Sequence, residues 1–234
     1  MTENRRWTGR NAVVTGGLGF IGSNLAIRLH ELGARVTVVD PCVPGCGGKA
    51  SNLAHLAGEV RIFPVGIEQT ENYPEILDRA DVVFNLAGEI SHSASMRDPV
   101  RDLEINTLAQ LKFIRALAAV RPGIRVVYAS TRQVCGRPVA LPAQEDHPVN
   151  PTDFNGIHKR AAEQYHLLHF RLGLLDSIVL RLTNTYGPRL ALDVPGQGFL
   201  TVFFNRALSG EPIEVFGDGT QLRDPLYVAD AVDA

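Results

Sequence analysis

Apolar residues fall in short runs separated by longer stretches of helical spacing. The runs at 12–15, 36–39, 60–65, 82–86, 126–129 and 178–182 are rich in β-branched residues and nearly uninterrupted by polar ones. Helices covering both faces of a sheet require strands of this kind, so these runs predict six buried parallel strands. Between them, 21–32 has helical periodicity and ends at Gly33, and 103–120 ends at Pro122-Gly123. A third stretch, 153–172, opens on the capping residue Asp153 and ends at Gly173. The alternation specifies an α/β fold with a doubly wound parallel sheet of the Rossmann type, joined by right-handed crossovers.

Beyond Leu182 the pattern breaks. Pro188, Pro195, Gly196, Gly198, Pro212, Gly217 and Gly219 divide the tail into loops around one helical stretch at 200–208. The expected division is a dinucleotide-binding domain over 1–182 and a small substrate-binding lobe over 183–234, interleaved with the sheet.

Composition narrows the partners. A chain of 234 residues, 45% hydrophobic and 21% charged, has apolar surface enough for one sizeable core. A net charge of −2 with scattered basic residues offers no footprint for nucleic acid or an acidic membrane surface. No apolar run approaches the roughly 20 residues that span a bilayer, and the polar stretch 1–10 has no signal-peptide core. The expectation is a cytoplasmic protein acting on a small molecule. Cys42, Cys46 and Cys135 are expected to be free thiols. Cys42 and Cys46 without a second pair nearby make half a zinc site, so no metal is expected.

The first run is followed by Thr15-Gly16-Gly17-Leu18-Gly19-Phe20-Ile21-Gly22, a G-x-x-G-x-x-G spacing at the mouth of a helix. A pyrophosphate needs bare backbone N–H groups at a helix N-terminus, where peptide dipoles present partial positive charge and a Cβ would obstruct it. Asp40 lies 18 residues beyond Gly22, at the end of the second run, where a carboxylate can accept hydrogen bonds from ribose hydroxyls. A 2′-phosphate there would meet like charge, and Pro41, Cys42 and Val43 offer no arginine. The cofactor expected is therefore NAD.

With Asn85-Leu86-Ala87-Gly88 after the fourth run, Asn106 in the next helix, Ser130-Thr131 after the fifth run and Lys159 beyond, this turn resembles the extended short-chain dehydrogenase/reductase family. The likeness is to its NAD-dependent nucleotide-sugar epimerases and dehydratases, and it runs along nearly the whole chain. It implies that Gly16, Gly19, Phe20, Ile21, Gly22, Asp40, Leu86, Ala87, Gly88 and Lys159 hold NAD. Downstream, Arg181-Leu182-Thr183-Asn184-Thr185-Tyr186-Gly187-Pro188-Arg189 is similar to the family's sugar-nucleotide segment. Phe216-Gly217-Asp218-Gly219-Thr220-Gln221-Leu222-Arg223-Asp224 is similar to its diphosphate- and base-binding turn. The resemblance thus implies Ser95, Asn184, Arg189 and Arg223 toward a nucleotide-diphosphate sugar; a guanidinium and an amide suit a pyrophosphate. Such relatives continue past the point where Asp230-Ala231-Val232-Asp233-Ala234 ends, so the lobe is expected to be incomplete, through truncation or a naturally short form. They also pair through helices flanking the lysine. A homodimer is expected, with Ala161, Ala162, Leu167, Leu168 and Phe170 available for that interface or for the core.

In the family a tyrosine four residues before the lysine removes the sugar hydroxyl's proton. Here that position is Asn155, in Phe154-Asn155-Gly156-Ile157-His158-Lys159. Asparagine orients a hydroxyl or a water but carries no titrating proton. The open candidates for the base are His158, Glu89, His92 and Lys159 itself, the last if its surroundings depress its pKa; Tyr165 lies on another part of the helix. Thr131 matches the hydroxyl residue that bonds the reacting sugar oxygen, whereas Cys135 and Ile67 depart from the family's tyrosine and aspartate. The family's dehydratases and decarboxylases carry acidic residues directly after that hydroxyl, and this chain has Arg132-Gln133. Reversible oxidation and epimerisation, at C4 of the sugar, is the reaction left. The alternatives are a non-catalytic protein that binds NAD or a sugar nucleotide, and a dehydratase or oxidoreductase with a different base.

Overall fold

In the computed structural model, which describes residues 4–194, 198–215 and 217–234, alternate residues of the first strand, β1 (Asn11–Thr15), feed two separate cores. Val13 joins a cluster with Val83, Val126, Phe113 and Leu117, whereas Ala12 and Val14 join one with Val36, Val38, Leu25 and Leu29. A strand turns successive side chains to opposite faces, so a run apolar at every position demands cover on both sides.

That cover comes from the order of elements. The chain runs α1 (Asn4–Trp7), β1, α2 (Phe20–Glu31), β2 (Arg35–Val39), β3 (Arg61–Phe63), α3 (Tyr73–Ile76), β4 (Val82–Asn85), α4 (His92–Arg97) and α5 (Pro99–Leu103). A π-helical turn (Glu104–Leu108) then leads into α6 (Ala109–Val120), β5 (Arg125–Thr131), α7 (Phe154–Arg171) and β6 (Asp176–Leu182). The tail holds β7 (Asn184–Tyr186), α8 (Phe199–Ser209), β8 (Pro225–Tyr227) and α9 (Val228–Asp233). The first six strands form a parallel sheet of order β3-β2-β1-β4-β5-β6, the doubly wound Rossmann-type arrangement, and β7 pairs with β8 separately. The order reverses between β1 and β4, where the two strands' C-terminal ends part and a ligand crevice opens.

Three expectations need correction. The run at 60–65 makes a strand only over Arg61–Phe63, and Arg61 and Ile62 are exposed because β3 is an edge strand. β6 closes the opposite edge and is only partly covered, with Ile178 45% exposed. The helix expected over 103–120 begins earlier, at Pro99, where Asp98 caps it by accepting from Arg101 N at 3.1 Å, and it passes through the π turn. Pro195, Gly196 and Phe216 lie outside the described residues. Among the described residues no helix is long and apolar enough to cross a membrane.

Candidate active site

The turn from β1 into α2 brings backbone against backbone. Gly16 has φ +65°, and a Cβ there would stand 2.8 Å from the Leu86 carbonyl oxygen; a Cβ on Gly22 would stand 2.2 Å from the Gly16 carbonyl oxygen. Glycine is required at both. α2 opens at Phe20 with no side-chain cap, so the positive end of a 12-residue helix faces the crevice with its first N–H groups free of side chains. Asp40, directly after β2, is 7% exposed; its Oδ2 accepts from Leu18 N at 3.0 Å and its Oδ1 from Cys42 N at 2.8 Å. The carboxylate therefore braces the glycine turn while keeping acceptor capacity for further donors.

From this turn a cavity of about 1030 Å³ extends across the C-terminal ends of the strands to the tail. That volume lies at the top of the ~300–1,000 Å³ range of small-molecule sites. Gly16, Gly19, Phe20, Ile21, Gly22, Asp40, Leu86, Ala87 and Gly88 line one half, Glu89, Thr131, Asn155 and Lys159 its middle, and Asn184 and Arg223 the far side. Ile67, buried, lines the first half as an apolar surface. The cradle that side chains would fill, with a ribose-height carboxylate beside it, fits a dinucleotide such as NAD.

Behind the cavity lining a buried carboxylate absent from the sequence expectations organises the side chains. Asp102, 2% exposed, accepts through Oδ2 from Asn106 Nδ2 and Asn155 Nδ2, each at 3.0 Å, and through Oδ1 from His158 Nδ1 at 2.6 Å. Asn155 Nδ2 also donates to the Glu89 carbonyl at 3.0 Å, and Asn106 Nδ2 does the same. Both neighbours of the Asn155 amine are acceptors, so the amide has one permitted orientation, and its carbonyl oxygen is the group left to a ligand. The signal that could have found Asp102 is its i, i+4 spacing with Asn106, together with Asp98-Pro99 as a helix start.

Lys159 comes up from α7 beneath Gly88. It is 5% exposed, and a Cβ on Gly88 would lie 2.5 Å from its Nζ and 2.6 Å from Asn106 Oδ1. Nζ stands 5.6 Å from the centre of the Tyr128 ring, a cation–π contact, and has no hydrogen-bond acceptor among the described residues. Burial pushes its pKa down to about 8, against the upward pull of the Asp102 and Glu89 carboxylates. Tyr128 serves as an apolar floor: it is fully buried, burial pushes its hydroxyl pKa up, and that hydroxyl has no partner among the described residues. Beside it, His166 stacks on Tyr128 at 4.5 Å, and burial drives its pKa down to about 3, so it stays neutral.

The other expected residues divide. Thr131 ends β5, its Oγ1 accepting from Gln133 N at 3.2 Å. Glu89 Oε1 accepts from Ile90 N and Ser91 N, and its carboxylate lines the cavity. Asn184 Oδ1 accepts from Arg132 Nε at 3.1 Å, and Arg223 packs 5.8 Å from the Phe199 ring centre. Ser95, His158 and Arg189 do not line the cavity. Ser95 is fully buried and donates to the His92 carbonyl; His158 is turned away onto Asp102; Arg189 donates to Asn24 Oδ1 and so ties the tail to α2. His92 does line the cavity, with Nδ1 3.1 Å from Asp153 Oδ2, the carboxylate that caps α7.

A second unanticipated cluster anchors Ser130, the residue before Thr131. Glu163, fully buried on α7, accepts from Ser130 Oγ at 2.6 Å, from Arg181 through Nε and Nη2 at 2.9 Å each, and from Arg160 at 2.8 Å. Burial raises the Glu163 pKa, but the hydrogen bonds from Arg181, Ser130 and Arg160 outweigh it and hold the carboxyl below its usual range. β5, β6 and α7 are thereby joined directly behind the site.

Residues 12–234 match the family described as the NAD dependent epimerase/dehydratase family. The chain is 35% identical over 231 residues to a UDP-glucose 4-epimerase of Mycolicibacterium smegmatis, covering 95% of this chain and 71% of that protein. It is 31% identical to a UDP-N-acetyl-alpha-D-glucosaminuronate decarboxylase of Bacillus cytotoxicus, covering 96% and 70%. Among solved structures, that of a UDP-glucose 4-epimerase with UDP-glucose from Thermotoga maritima superposes with a TM-score of 0.86 at 34% identity, covering 95% of this chain and 71% of that one.

Proposed function

Because this chain belongs to the NAD-dependent epimerase/dehydratase family, we propose that it is a sugar-nucleotide 4-epimerase, oxidising and re-reducing one carbon of a nucleotide-diphosphate hexose. The observation that carries the reading is that one cavity holds the glycine cradle and Asp40 at one end, Thr131, Asn155 and Lys159 in the middle, and Asn184 and Arg223 at the other. Residues 1–182 would hold the dinucleotide and 183–234 the sugar nucleotide.

In this reading the first N–H groups of α2 face the cofactor's pyrophosphate and Asp40 its adenosine ribose. NAD, when bound, supplies reversible hydride transfer at the sugar carbon. Thr131 donates to or accepts from the reacting sugar oxygen, and the fixed carbonyl of Asn155 accepts from the hydroxyl and orients it. Arg223 and Asn184 face the sugar nucleotide's diphosphate. Arg132 and Gln133 line the cavity directly after Thr131, where loss of water or of carbon dioxide would need a carboxyl group. That composition favours epimerisation over dehydration and decarboxylation.

A second reading, binding without turnover, is favoured by Asn155, which stands at the place of the family's tyrosine and cannot titrate. The two separate in one experiment. The protein is incubated with NAD and, in turn, UDP-glucose, UDP-galactose and their N-acetylated forms. The 4-epimer or NADH absorbance is expected for at least one; tight binding of NAD and sugar nucleotide with neither signal supports the second reading.

A further inference from the structure

We propose that the amine of Lys159 is itself the group that takes and returns the proton of the reacting sugar hydroxyl, a role resting on the epimerase reading above. The chain has five tyrosines, Tyr73, Tyr128, Tyr165, Tyr186 and Tyr227. Tyr73 is buried and donates its hydroxyl to the Ile67 carbonyl; Tyr128 lies in the core; Tyr165 packs against the core under α6; Tyr186 and Tyr227 face each other on β7 and β8. None of the five lines the cavity. No phenol is available for the proton.

Among the titratable groups lining the cavity, which also include Glu104 and Asp153, the candidates the sequence offers are Glu89, His92 and Lys159; Asp153 is taken up by the α7 cap and by His92. Glu89 is the poorer match to a sugar hydroxyl, because its carboxylate already accepts two backbone N–H bonds of its own loop. His92 is mostly exposed and faces Asp153. Lys159 differs from both: it is buried, lines the cavity and has no hydrogen-bonded counter-ion.

The charges facing it explain why. Asp102, from α5, spends its two oxygens on Asn106, Asn155 and His158, and Glu89, from the turn after β4, is bonded to its own loop. From β5 it meets only the Tyr128 ring, whose hydroxyl burial keeps protonated. A buried ammonium without a hydrogen-bonded partner gives up its proton more readily, in keeping with a pKa pushed down to about 8. A neutral fraction of the amine is therefore present at physiological pH.

The balance closes within one turnover. The O–H bond of the sugar hydroxyl would break and its proton form an N–H bond on the neutral amine, with NAD, when bound, supplying the two-electron oxidant that accepts the hydride of the same carbon. On return the ammonium gives the proton back to the carbonyl oxygen as the hydride comes back to the carbon. There is no net oxidation, and Asn155 holds the hydroxyl without exchanging a proton.

The chain has three lysines, Lys49, Lys112 and Lys159, so ε-carbon-labelled lysine gives a three-signal NMR titration of the cofactor-free protein, assigned with Lys159→Arg. The Lys159 signal is expected to titrate near pH 8. In parallel, NADH formation in a single turnover is followed against pH with UDP-glucose as the probe. It should rise toward pH 8 in the wild type and fall by about 100-fold or more in Lys159→Arg, which keeps the cation but cannot give up its proton. Unchanged rate and pH profile in Lys159→Arg, or loss in His92→Gln with Lys159→Arg active, would overturn the lysine's role and leave the epimerase reading standing. A wild type that yields neither NADH nor epimer with any sugar nucleotide of the panel removes both.

Discussion

Asn155, which lines the cavity, donates its amide to Asp102 across the space between α7 and α5, at 3.0 Å. Asn155 is thus built into a buried network. Asn155→Asp tests the network: it would set one carboxylate against another and against the Glu89 carbonyl, a loss of about 2–4 kcal/mol at pH 7. The new carboxyl's pKa is raised in the folded state, so the penalty shrinks as pH falls and the group protonates. Urea denaturation at pH 8 and pH 5 checks this, and equal losses at both would contradict it.

Lys159→Met should stabilise the fold by about 1–3 kcal/mol at pH 7, because an ammonium without a hydrogen-bonded counter-ion leaves the interior. The folded lysine pKa, about 8, lies below the unfolded value of 10.5, so wild-type stability from this group grows as pH rises between them. The methionine's advantage is therefore expected to shrink over that interval in thermal melts. A variant less stable than the wild type at pH 7 would show that the lysine is held by a partner.

Gly22→Ala should abolish detectable NAD binding and lower thermal stability, since its Cβ would stand 2.2 Å from the Gly16 carbonyl oxygen and neither backbone segment has room to move. Isothermal titration with NAD measures it. Retained affinity would place the cofactor elsewhere.

Asp40→Asn should weaken NAD about tenfold and narrow the preference for NAD over NADP, because a repulsive charge against a 2′-phosphate is removed. The amide retains an acceptor for one of the two backbone N–H groups, Leu18 or Cys42, so the glycine turn loosens in part. Competition of NAD and NADP against a fluorescent analogue reads both effects.

Glu163 should make the fold acid-sensitive. Its pKa is depressed when folded, so its stabilisation is complete above the unfolded value near 4.5 and is lost as pH falls through the folded one. Arg181→Met should cost about 3 kcal/mol at pH 7 by leaving the buried carboxylate half-paired, and less at pH 3.

The residues that were legible in the sequence are those whose role depends on neighbours in the chain. Val13, Val38 and Val83 sit in uninterrupted apolar runs, and Gly16, Gly22 and Asp40 act through spacing along one strand–turn–helix unit. Of the Asp102 network the sequence carries only the i, i+4 spacing with Asn106; the packing of α5 on α7 is what brings Asn155 and His158 to it. For the same reason His158 looked available as a base. Ser95 looked like a ligand donor, yet its hydroxyl is taken by the carbonyl three residues back on its own helix. Glu163 and Arg181 meet across 18 residues, a distance no periodicity reports. The π turn at Glu104–Leu108 is likewise a product of tertiary packing around Asn106, which bonds Asp102 and the Glu89 carbonyl.

The central claim is that the cavity joins a nicotinamide cofactor to a sugar nucleotide for reversible oxidation. The most direct measurement is proton NMR of UDP-glucose incubated with the protein and NAD in deuterated buffer, alongside absorbance at the NADH band. UDP-galactose is expected to form without deuterium at C4, since the hydride leaves and returns without exchanging with solvent. Deuterium at C4, or NAD and UDP-glucose both bound with no epimer and no NADH for this or any other UDP-hexose of the panel, would contradict it.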